Sequence, residues 1–276
     1  MIQYKKIERE VLNQMERIAV FSDIHANLTA LEAVMCDIKN RGINKVFCLG
    51  DIVYKGASPS ETIDIVRKNC DVVIKGNCDE FMISDTALEK KYWTRMKIGE
   101  ERAQYLKKLP VSYEFYLSGY LVRLFHACPF DLQKLYNPMY NNSEKVSKEI
   151  KNPEIMFENT EFIGKTKNDK TPDIVGYGHI HTPNVIRVKN KMIFNPGSVG
   201  MPTEMLNTDK IDETNKFTAM ASYSILEGEY GKKELDTLNI SIIRVPYDLN
   251  KEIDILKKSD NPQKELIIRK LQTAEP

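Results

Sequence analysis

The chain holds only four histidines, His25, His126, His179 and His181, and each follows directly on a run of apolar and β-branched residues. Oxygen ligands recur in the same kind of place. "FSDIHAN" sets Asp23 and His25 two positions apart, and "YGHIHTP" does the same for His179 and His181. In extended chain the side chains at i and i+2 leave the same face, so either pair can share one cation. "CLGDIVYKG" exposes Asp51 after a glycine, "KGNCDE" exposes Asn77 after another, and "LFHACP" exposes His126. A lone buried histidine is more often a satisfied core residue than a ligand. Four of four at strand exits is hard to ascribe to packing. A set of Asp, His and Asn without thiolates suits Mn²⁺, Fe²⁺, Co²⁺, Ni²⁺ or Zn²⁺ better than Ca²⁺. Seven candidate ligands exceed one tetrahedral site and match two divalent ions sharing a carboxylate, an arrangement that hydrolyses phosphate esters. Each motif alone is weak; the weight lies in their order, their placement and the use of every histidine.

The elements that must position these residues alternate. "RIAVFS" (17–22) reads as a buried strand, and Leu28, Leu31, Val34, Met35 and Ile38 then recur at helical spacing until Gly42. "KVFCLG" (45–50) is the next strand. Ser58-Pro59-Ser60-Glu61 has the form of a capping box, opening a helix to about Asn69. "DVVIKG" (71–76) is a third strand, and near-continuous apolar strands separated by helices predict a parallel sheet. Residues 81–109 read as mostly helical. "SYEFYLSGYLVRLFH" predicts a hairpin around Ser-Gly, and "DIVGYG", "NVIRV", "KMIFN", "TAMASYSIL" and "NISIIRV" supply further strands before a helical region at 248–272. The reading is one α/β domain over 17–276 behind a charged extension, 1–16, with two facing sheets and helices outside. Every candidate ligand then lies at the carboxyl ends of strands, where α/β sheets place their functional crevice.

Composition narrows the partners. With 40 Lys+Arg against 39 Asp+Glu, the net charge of +1 gives no global field to attract nucleic acid or an anionic membrane. The five cysteines are odd in number and scattered without a C-x-x-C pair, which suits reduced thiols in a cytosol. "MIQYKKIEREVLNQMER" is charged throughout with no apolar h-region, and no stretch approaches the ~18 apolar residues of a membrane span, so a cytoplasmic location is expected.

The ordered set "DIHAN", "GDIVYKG", "GNCDE", "FHACP", "GHIH" and "NPGSVG" resembles the calcineurin-like metallophosphoesterase superfamily over roughly residues 17–248. It is most similar to a small bacterial and archaeal phosphodiesterase branch, which shares the "GNCD" and "NPGSVG" forms. The resemblance implies a four-layer α/β/β/α fold of two facing mixed sheets. It implies that Asp23, His25 and His181 hold one divalent ion, that Asn77, His126 and His179 hold a second, and that Asp51 bridges them, while a hydroxide between the ions attacks phosphorus in line. The implied substrate is a small phosphodiester, a nucleotide among the candidates. Dinucleoside polyphosphates and monoesters are the alternatives. A non-catalytic scaffold of the same fold is the reading from another class, and the survival of all seven ligands favours catalysis.

Cys78 is the main departure, since many superfamily members carry histidine at this turn. As a ligand it is redundant, and as a nucleophile it lacks a free base. The preferred reading is a small residue packed under the site; the alternative is a weak substrate contact or proton donor. Without an imidazolium, leaving groups that need little protonation are expected. Asn27 reads as the N-cap of the following helix or as a hydrogen bond on the phosphate side. Asp79 reads as a helix cap, with orienting a neighbouring group as the alternative. Lys55 reads as a solvated loop lysine, with a contact to an anionic substrate as the alternative, and "NPGS" as a chain turn. Ala26, Ala127 and Ile180 replace the family's commoner Gly, Gly and Thr. The 137–171 stretch, with Tyr136 and Tyr140 nearby, reads as a lid or a solvated surface helix.

Overall fold

The computed structural model describes residues 15–134, 136, 152–164, 170–203 and 220–273. The first strand, β1 (Glu16–Phe21), shows why the sequence reads as it does. Ile18 and Val20 face one apolar cluster while Ala19 and Phe21 face another, so a strand of period two is buried on both sides. It pairs in parallel with β2 (Lys45–Cys48), which pairs in parallel with β3 (Val72–Val73). Its other edge takes β9 (Met220–Gly228) and then β10 (Asn239–Pro246), both antiparallel, giving the order β10-β9-β1-β2-β3. The second mixed sheet has the order β4-β5-β6-β8-β7, from β4 (Ser112–Leu117), β5 (Tyr120–Phe125), β6 (Ile174–Gly176), β7 (Asn184–Val188) and β8 (Lys191–Asn195). The Ser118-Gly119 hairpin is present, both residues at positive φ.

The two sheets face each other across a dry layer in which Ile18, Val20, Phe47 and Leu49 meet Phe115, Leu124 and Phe194. Outside the first sheet lie α1 (Leu28–Asn40), α2 (Pro59–Asn69), α3 (Asn77–Met82), α4 (Asp85–Glu89) and α5 (Trp93–Lys107). A helical hairpin, α6 (Leu249–Lys258) and α7 (Lys264–Thr273), follows β10. Outside the second sheet, among the described residues, a 3₁₀ turn (Pro153–Phe157) buries Met156 and Phe157 against Val175 and Tyr177. No helix among the described residues is long and apolar enough to cross a membrane.

Several expectations shift. The third strand is two residues long rather than six, because Lys75 donates its N–H to Pro110 rather than to a strand neighbour. The 81–109 region is three helices, the last interrupted at Gly99, whose φ of 69° is non-helical. The Ser58 box does not form: its side chain makes no cap bond, its N–H donates to the Ala26 carbonyl, and its φ/ψ of −121°/55° leaves the hydroxyl off the helix. The extension 1–16 lies outside the described residues but for its last two positions. Of the 137–171 stretch only 152–164 and 170–171 are described, and Tyr140 lies outside them. Tyr136, at 1% exposure, is packed inside with its ring tilted against that of Tyr177 at 5.8 Å.

Candidate metal centre

The loops after β1, β2, β5 and β6 converge at one edge of the two sheets, and hydrogen bonds splice them together. Asp23 and His25 donate their N–H groups to the carbonyls of Gly50 and Asp51, and Gly178 donates to His126. His179 donates its N–H to Asp23 Oδ2 (2.9 Å), which ties the "GHIH" loop of one sheet to the "DIH" loop of the other. Asp23, His25, Asp51, His179 and His181 all have φ between 49° and 70°. Left-handed backbone at non-glycine residues is costly and persists where surroundings over-determine it. Asp23 and His25 therefore share a face through this left-handed turn, and the extended geometry expected from their spacing is not what aligns them.

The side chains form two groups joined by one carboxylate. In the first, His181 Nε2 lies 3.3 Å from Asp23 Oδ1 and 2.9 Å from His25 Nε2. In the second, His126 Nε2 lies 2.9 Å from Asn77 Oδ1, and the His126 and His179 rings meet edge to face at 5.2 Å. Asp51 stands between them: Oδ2 is 3.8 Å from His25 Nε2 and Oδ1 is 3.4 Å from His126 Nε2. Ligand atoms of Asp23, His25 and His181, and those of Asp51, His126 and His179, each gather within 4.8 Å of one another. Neighbouring glycines make this approach possible, since a Cβ at Gly76 would collide with the Asp51 side chain and backbone.

Electrostatics follow from burial. Desolvation alone would raise the Asp23 carboxyl, but His181, His126 and His25 outweigh it and hold Asp23 below the ordinary range. Burial, reinforced by Lys55 and His181, pushes His25 well down, and burial with His126 takes His179 down to about 4. Both rings are therefore neutral near pH 7 and able to ligate. His126 goes the other way: burial is overcome by Asp51 and Asp23, and its Nδ1 lies 2.8 Å from the Leu49 carbonyl. A divalent cation fits this set. Asp23 Oδ1 is buried without a hydrogen-bond partner, an expensive state that a cation would relieve, and the donors are nitrogen and oxygen throughout.

Residues 16–210 match the calcineurin-like phosphoesterase superfamily domain. The chain is a member of that superfamily. An uncharacterized protein of Methanocaldococcus jannaschii is 33% identical over 273 residues, covering 89% of this chain and 94% of the relative. A metallophosphoesterase structure from Sphaerobacter thermophilus aligns with a TM-score of 0.65 at 24% identity, covering 94% of this chain and all of that one. A hypothetical protein from Pyrococcus horikoshii aligns at 0.67 and 20%, covering 95% and 99%. Both share the fold of this calcineurin-like chain.

The remaining site residues fall into place around the ligands. Cys78 is buried with its sulfur within 4.8 Å of ligand atoms of His25 and Asp51, and its N–H donates to Asp51 Oδ1 at 2.8 Å. Burial and Asp51 push its thiol well above the usual range. Asn27 caps α1 through the Ala30 N–H and donates Nδ2 to Gly200, so both ends of its amide are engaged. Asp79 does more than cap: it accepts from Gly76 N–H at 3.0 Å and from Ile52 N–H at 2.9 Å, pinning the Asp51 loop to the start of α3. "NPGS" also does more than turn. Asn195 donates to the Gly178 carbonyl and Ser198 donates to the Asp23 carbonyl, so this segment locks two ligand loops. Lys55 is not a solvated loop residue; its Nζ lies 3.3 Å from His25 Nε2.

Proposed function

We propose that this chain is a two-metal phosphodiesterase acting on a small phosphorylated substrate, nucleotides included. The observation that carries the reading is the position of Asp51, with one carboxylate oxygen toward each histidine group. Asp23, His25 and His181 would hold one ion, Asn77, His126 and His179 the other, and Asp51 both. Such a pair supplies an activated water at neutral pH and neutralises charge growing on the phosphoryl oxygens.

The chain's own residues do the rest. Asp23 and Asp51 give the site its negative charge, while neutral His25 and His179 offer lone pairs without competing protons. Asp79 and Ser198 hold the ligand loops rigid, so little reorganisation is left for the reaction. Cys78 lines the site as a thiol that burial and Asp51 keep neutral, so no imidazolium stands ready beside the leaving oxygen. That favours a stable leaving group, which an aryl diester or a nucleotide anhydride provides better than a simple alkyl monoester; the diester is preferred on the family resemblance.

The test is hydrolysis of bis(p-nitrophenyl) phosphate by metal-loaded and chelator-stripped protein. Turnover that vanishes on stripping and returns with Mn²⁺ is expected. A fully loaded protein that cleaves neither diester nor monoester would leave the fold as a scaffold.

A further inference from the structure

Lys55 belongs to a loop built to aim it. Tyr54 and Lys55 have φ of 75° and 69°, two consecutive left-handed residues that the chain adopts only under restraint. The restraint comes from the far end of the sequence. Asn261, in the turn between α6 and α7 and only 5% exposed, donates Nδ2 to the carbonyls of Lys55 (2.6 Å) and Gly56 (3.2 Å). The hairpin is itself anchored, with Ile253, Leu256, Ile267 and Leu271 packed against Met201 and Ala57. On the other side, Gly56 donates its N–H to the His25 carbonyl at 2.8 Å. The loop is thus clamped between the ligand loop and the C-terminal hairpin.

The side chain so aimed is a cation with no counter-charge. Among the described residues Lys55 forms no ion pair with an acid, and its Nζ lies 3.3 Å from Nε2 of His25, the nitrogen turned toward Asp23, His181 and Asp51. It also lies close enough to Cys78 to bias that thiol electrostatically. A lone pair given to an ion is no longer available to an amine. With the ion bound, Lys55 needs another acceptor within reach of the same spot, and an anionic group held by that ion offers one. We propose that Lys55 binds a non-bridging oxygen of the substrate's phosphoryl group, on the side of the site formed by Asp23, His25 and His181. Its ammonium then supplies the fixed positive charge that neutral Cys78 does not. This inference rests on the two-metal reading and adds a substrate contact to it.

Calorimetric titration of orthophosphate into Mn²⁺-loaded protein, with metal content measured in parallel, separates the two. Wild type should take up two ions per chain and bind phosphate. Lys55→Met should keep both ions and lose phosphate affinity by about tenfold or more, the worth of one charge-assisted hydrogen bond. Lys55→Arg should recover most of that affinity, and Lys55→Met should raise KM for an aryl phosphodiester more than it lowers kcat. Unchanged phosphate affinity in a fully loaded Lys55→Met would overturn the contact and leave the metal centre standing. Loss of an ion in that variant would also overturn it, by making Lys55 a support of the ion site. A wild type that binds no Mn²⁺ would bring down the two-metal reading itself.

Discussion

The group formed by Asp23, His25 and His181 leaves polar atoms unmatched, whereas the group formed by Asn77, His126 and His179 largely matches its own. Asp23 Oδ1, though 3.3 Å from His181 Nε2, and His25 Nδ1 are buried without hydrogen-bond partners, and the amine of Lys55 sits beside His25 Nε2. In the other group His126 lies within hydrogen-bond distance of the Leu49 carbonyl and Asn77, and His179 Nε2 is 3.2 Å from the Gln133 carbonyl. Left-handed backbone and hydrogen bonds to neighbouring loops occur in both halves, but only the first keeps buried side-chain atoms without a hydrogen-bond partner among the described residues. An ion is therefore worth most, structurally, to the first half.

Removing the link between the halves should have the largest effect. Asp51→Asn keeps the side-chain shape but weakens the carboxylate whose two oxygens face the two groups, and kcat should fall about a thousandfold or more while circular dichroism stays that of the wild type. Turnover near the wild-type level would break the comparison, because the halves would then not act through a shared ligand.

Loading both halves should stabilise the fold unevenly. Each Mn²⁺ at a hundred times its dissociation constant should add about 2.7 kcal/mol. Amide hydrogen exchange should slow most over residues 22–26, where the unmatched atoms lie. Equal protection around His126 would show that the second half is no better satisfied than the first.

Asp79 probes the pinned half by pH. Burial, then Asp51, raises its carboxyl from 3.8 to about 7 in the metal-free protein. Over that interval the folded protein keeps a proton that the unfolded chain has lost, so this group's contribution to stability falls as pH rises from about 4 to about 7. Asp79→Asn removes the contribution, so the gap in melting temperature between wild type and variant should narrow as pH rises through this window. A gap independent of pH would mean that Asp79 is ionised throughout.

The smallest effect expected is at Cys78. Cys78→His places a titrating donor beside Asp51 and should raise monoesterase relative to diesterase activity by up to about tenfold, less than a fully placed general acid supplies. An unchanged ratio would make Cys78 a packing residue.

Much of the ligand set was legible because strands end visibly. Apolar runs stop abruptly, at Gly50, Gly76 and Gly178 for Asp51, Asn77 and His179 and without a glycine for Asp23 and His126. The two-sheet architecture was legible for the same reason, since β1 and β9 read as apolar strands whatever their partners. What escaped is non-local. The left-handed turn at Asp23 and His25 depends on carbonyls near Asp51 and on the "NPGS" segment, and no spacing rule encodes it. Lys55 reads as an ordinary loop lysine because the residue that fixes its backbone, Asn261, lies 206 positions away. The length of β3 was set by Pro110, outside its own segment, capturing the Lys75 N–H.

Anomalous diffraction at the manganese edge, from crystals grown with excess Mn²⁺, bears most directly on the central claim. Two peaks about 3.5–4 Å apart, with an Asp51 oxygen on each, are the predicted result. A single peak, or two peaks that Asp51 does not join, would contradict it.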